Sequence, residues 1–162
     1  MRSLSCVLVR EGPSDDWFLP ILLRRALEEL VIENFPACRE VQEVRPLPEA
    51  GNQHPETVIK ASELERGTAD RTALVRALNL RRLDREPVSG SGVEACPDPK
   101  AVIATLLRDE AGMNPKKKGV LRNFYVSVAE TAGIGELRKV PAFRQWWDDM
   151  IEALEGLGYQ HG

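Results

Sequence analysis

The stretch that decides the fold is Ser5-Cys6-Val7-Leu8-Val9-Arg10-Glu11-Gly12-Pro13-Ser14-Asp15-Asp16-Trp17-Phe18-Leu19. Val7 to Val9 read as a short buried strand. Glu11-Gly12-Pro13-Ser14 reads as a tight turn, and the chain from Asp15 onward as an amphipathic helix. A carboxylate that closes a buried strand and precedes a glycine turn sits where α/β sheets gather their chemistry, outside the carboxyl ends of the strands.

Working outward, the helix is predicted to run from about Ser14 to about Asn34, with Ser14 as N-cap and Asp15 and Asp16 in the turn that the helix dipole favours for acids. Phe18, Ile21, Leu22, Ala26, Leu27, Leu30 and Val31 give it a broad apolar face, and Pro36 marks its stop. Val41 to Leu47 read as a second strand ended by Pro46. Glu56 to Glu65 read as a short helix, and Thr72 to Leu80 fit a helix as well as a strand. Pro87 to Gly92 form a connector rich in glycine and serine.

Beyond the connector the pattern is helical. Asp98 caps a helix that opens on Pro99, carries Val102, Ile103, Leu106 and Leu107 inward, and is ended by Gly112. Val120, Leu121, Phe124, Tyr125 and Val128 mark the next helix. Pro141 opens a last one with Phe143, Trp147, Met150, Ile151 and Leu154 on one face, ended near Gly156. The organisation is therefore α/β: residues 1–86 as the core, 87–92 as a flexible connector, and 93–162 as a helical part packed on the same core.

At 162 residues, 43% apolar and 29% charged, the chain suits one globular domain. Its net charge of −3 argues against a binder that is basic over its whole surface, while leaving room for a local basic groove. There is no apolar run of about 18 residues, so no membrane span is expected. Cys6, Cys38 and Cys96 are odd in number and widely spaced, with no Cys-x-x-Cys pair, which points away from zinc or a disulfide framework and toward a reduced, cytoplasmic protein. His54 and His161 are isolated from any nucleophile pattern, and Gly133-Ile134-Gly135 has no preceding strand to make it a nucleotide loop.

The apolar strand followed by Glu-Gly-x-x-Asp-x-x-x-Leu, at Val7 to Leu19, resembles the opening motif of the Toprim domain of topoisomerases, primases and small nucleases. Asp98-Pro99-Lys100 with Leu106-Leu107, and Leu137 to Phe143 ahead of the last helix, resemble the tail of small bacterial and archaeal Toprim-like proteins found beside genes for ABC-type ATPases in defence clusters. The resemblance covers the first 35 or so residues and the last 65 or so. It implies a small Rossmann-like sheet with helices on both faces and a helical C-terminal third. It also implies metal-dependent phosphodiester hydrolysis with Mg²⁺ or Mn²⁺, and an ATPase partner.

Carried over by residue, the resemblance makes Glu11 the glutamate, Gly12 the glycine and Asp15 the following acid. Hard divalent cations take oxygen ligands, commonly one or two carboxylates with retained waters. The family's Asp-x-Asp pair has no counterpart at the end of an apolar strand here. Asp70 and Asp84 are the nearest acids, and Asp70, with an apolar segment following it, is the better second ligand. Each of these carboxylates also reads as an ordinary turn or capping residue. Lys116, Lys117 and Lys118, with Arg122, form a basic turn that contacts DNA phosphates on one reading and is simply solvated on the other. Trp146 marks a partner surface or the edge of the core. Two functions follow: a metal-dependent nuclease subunit of an anti-phage defence or DNA-processing system, or a non-catalytic Toprim-like adaptor in a larger assembly.

Overall fold

The computed structural model describes residues 2–9, 15–47, 71–82 and 98–162. In chain order these hold β1 (Arg2–Leu4), β2 (Val7–Val9), α1 (Asp15–Asn34), β3 (Cys38–Val41), β4 (Arg45–Leu47), α2 (Arg71–Ala77), α3 (Pro99–Asp109), α4 (Lys118–Thr131), α5 (Ile134–Leu137) and α6 (Pro141–Gly156). The architecture of the described residues is mixed α/β, with two small parallel sheets. The predicted helix over 56–65 and the connector over 87–92 lie outside the described residues.

The two sheets are successive halves of one ribbon. β1 pairs with β3 and β2 with β4, both parallel, with Leu4 opposite Val41 and Leu8 opposite Pro46. Between the halves the ladder is carried by the Gln42 N–H donating to the Leu4 carbonyl (2.8 Å) and the Arg45 N–H donating to the Cys6 carbonyl (3.2 Å). The serine hydroxyl of Ser5 bonds the Gln42 side chain across the same gap. α1 is the crossover between the parallel strands, which makes residues 2–47 a βαβ unit.

The predicted strand over 41–47 is thus two strands, beginning earlier. The pairing steps from Arg2↔Cys38 to Ser3↔Glu40, one residue on β1 against two on β3, so Arg39 is the extra residue of a bulge. The bulge lets Cys38 and Val41, three apart, both turn inward and be buried while Arg39 and Glu40 are exposed. Nor does Pro46 end a strand. Arg45 turns its N–H to β2, so the N–H that proline lacks at the next position would have faced away from the ladder.

Along the first strand, Leu4 is buried and Cys6 and Leu8 pack against the core, whereas Ser3, Ser5 and Val7 are exposed, Val7 at 65%. Among the described residues helices therefore cover one face of the ribbon, not the two expected.

α1 is the centre of the molecule. It touches β3 and β4 on one side and α4, α5 and α6 on the others. Its buried residues (Phe18, Leu19, Leu22, Leu23, Ala26, Leu27, Leu30 and Val31) occupy well over half of its circumference. Pro20 lies inside the helix and removes the N–H that would reach the Asp16 carbonyl. A proline there costs about 3 kcal/mol. Burying four neighbouring apolar side chains at about 1.5–3 kcal/mol each outweighs it, so the helix continues.

The ambiguous stretch over 72–80 is helical. α2 packs on α4 and buries Ala73, Leu74 and Leu78. It ends with Asn79 at φ 53°, the Leu80 N–H donating to the Val75 carbonyl (3.0 Å) and the Asn79 N–H to Arg76 (3.1 Å). Asp98 caps α3 as expected, accepting from the Ala101 N–H at 2.9 Å, with Pro99 first in the helix. No helix among the described residues is long and apolar enough to cross a membrane.

Candidate functional site

Three contacts fix how α4 lies on α1. The Phe18 and Tyr125 rings meet edge-on at 6.1 Å between centroids, the Arg25 guanidinium donates to the Ala129 carbonyl at 2.6 Å, and Glu33 pairs with Arg138 at 3.0 Å just past α5. The numbers rise together along both segments, so α1 and α4 run side by side in the same direction. Their N-termini lie at one end of the molecule. Because α1 is a crossover helix, that end is also where the strands finish. The connection over 10–14, which contains Glu11, joins the end of β2 to the start of α1.

At that same end stands the basic turn. The Asn114 side-chain oxygen accepts from the Lys116 N–H (3.0 Å), and the Asn114 carbonyl accepts from the Lys117 N–H (3.1 Å). Lys117 occupies the N-cap of α4 without a side-chain capping bond, and Lys118 is the first helical residue. Lys116, Lys117 and Arg122 are exposed. Lysines at the positive end of a helix dipole oppose it, so this arrangement costs helix stability. What it produces is a concentration of positive potential beside N–H groups, which suits an anionic ligand such as a phosphate.

The acidic half of the predicted site is less visible. Glu11 and Asp70 lie outside the described residues, as do Asp84 and His54. Asp15 begins α1, and its side chain is likewise outside them, as is that of Lys118. Among the described residues, no group of three His, Cys, Asp or Glu side chains is placed to hold a metal.

The remaining candidates are structural. Burial pushes the Cys6 thiol up, which lowers its thiolate fraction and with it its reactivity. Trp147 is buried, and Trp146 is half-buried against the Phe143 ring at 5.2 Å, which places it at the edge of the core. Arg138 lies over the Trp147 ring at 4.3 Å.

One feature escaped the reading of the sequence. The segment after α6 folds back onto the βαβ unit, with the Tyr159 hydroxyl donating to the Ser3 carbonyl at 3.0 Å. Its signal was Leu157-Gly158-Tyr159, a glycine followed by an aromatic residue where a helix stops. Comparison with protein-family models, curated proteins and solved structures finds no match to this chain.

Proposed function

We propose that this chain is a Toprim-like subunit of a bacterial anti-phage defence or DNA-processing system, a metal-dependent nuclease acting with an ABC-type or related ATPase. The observation that carries the reading is the parallel packing of α1 and α4. With the two helices running the same way, the basic turn at Lys116 to Lys118 and the start of α1 share one end of the described structure, which supports a site there. In this reading Lys116, Lys117, Lys118 and Arg122 hold the phosphate backbone of DNA. Glu11, Asp15 and Asp70 supply the carboxylates, with Glu11 and Asp70 as ligands to Mg²⁺ or Mn²⁺. Such a metal, when bound, stabilises charge on the scissile phosphate. The described residues contain no three-ligand cluster of their own, and Glu11 and Asp70 lie outside them.

A second reading, an adaptor without catalysis, is favoured by the lack of an Asp-x-Asp pair after an apolar strand. Plasmid cleavage separates the two. Wild type and Glu11→Ala are compared in Mg²⁺ and in Mn²⁺, alone and with the neighbouring ATPase. Cleavage that disappears in Glu11→Ala supports the nuclease. No cleavage under any condition, with the assembly still forming, supports the adaptor. DNA binding is a separate test. Replacing Lys116, Lys117 and Lys118 with alanine reduces the slope of log affinity against log salt by about 0.9 for each phosphate that is no longer neutralised.

A further inference from the structure

We draw no further inference here: the strongest candidate, the basic turn of Lys116 and Lys117 at the N-terminus of α4, belongs to the site already described, and a helix N-terminus alone does not define a ligand.

Discussion

α1 and α6 are the two longest helices described, and they bury themselves in opposite ways. In α1 the apolar residues spread around most of the helix, because a ribbon lies on one side and helices on the others. α6 keeps a single stripe. Phe143, Trp147 and Leu154 are buried, Met150 and Ile151 are half-buried, and Asp148, Asp149, Glu152 and Glu155 face solvent. The first pattern belongs to a helix enclosed by its fold, the second to a helix that covers it. The enclosed helix begins at the end where the strands finish, while the covering helix turns an acidic outer face to solvent.

The contrast is most severely tested in the core. Leu22→Ala and Leu154→Ala delete comparable buried side chains, and such substitutions cost about 2–5 kcal/mol. Leu22, held between layers that cannot collapse onto the gap, is expected near the top of that range. Leu154, in a helix packed on one side only, is expected near the bottom. Urea unfolding of both variants reads the difference, and equal losses would mean that the two helices are equally enclosed. A smaller effect is expected at the joint between the two helices, where Arg138 pairs with Glu33 of α1 and stacks on Trp147 of α6. The ion pair is well exposed and worth little, so Arg138→Gln is expected to cost about 1 kcal/mol, chiefly through the lost stacking.

Smaller again is Ile32→Lys. Ile32 is 77% exposed on the narrow outer arc of α1, and its replacement is expected to change stability by less than about 0.5 kcal/mol. A larger loss in thermal unfolding would mean that this arc is covered too. The least effect concerns pH. Burial raises the Cys6 thiol, so the folded chain holds that proton to higher pH than the unfolded chain. Stability then falls as pH rises past the unfolded thiol's value of about 8.5. Cys6→Ala is expected to flatten that decline, as measured by urea midpoints across the range.

Where a single periodicity governed a segment, the sequence was enough. Phe18 to Val31, Val102 to Leu107, Phe124 to Val128 and Phe143 to Leu154 repeat at helical spacing, and all lie on the observed helices. The ribbon was only half legible. The bulge at Arg39 separates the inward residues Cys38 and Val41 by three positions, which hides the alternation that marks a strand. Pro46 suggested an ending because edge and centre cannot be told apart without the partner strand. α5, four residues containing a glycine, gives no periodic signal at all. At the candidate site the basic turn was legible as composition. Its position at the end where α1 begins was not, because it depends on pairings such as Arg25 with Ala129, 104 residues apart.

The bond between Tyr159 and Ser3 spans 156 residues, and that distance is also a time. Ribosomes add about 5–20 residues per second, so the hydroxyl follows the carbonyl it caps by about 8–30 s. Throughout that interval the nascent chain carries the Ser3 carbonyl without the tyrosine that bonds it, and Phe35 without the rings of Tyr159 and His161. A contact of such long span forms only after most of the residues between its partners have been made, so it belongs to the late steps of folding during synthesis.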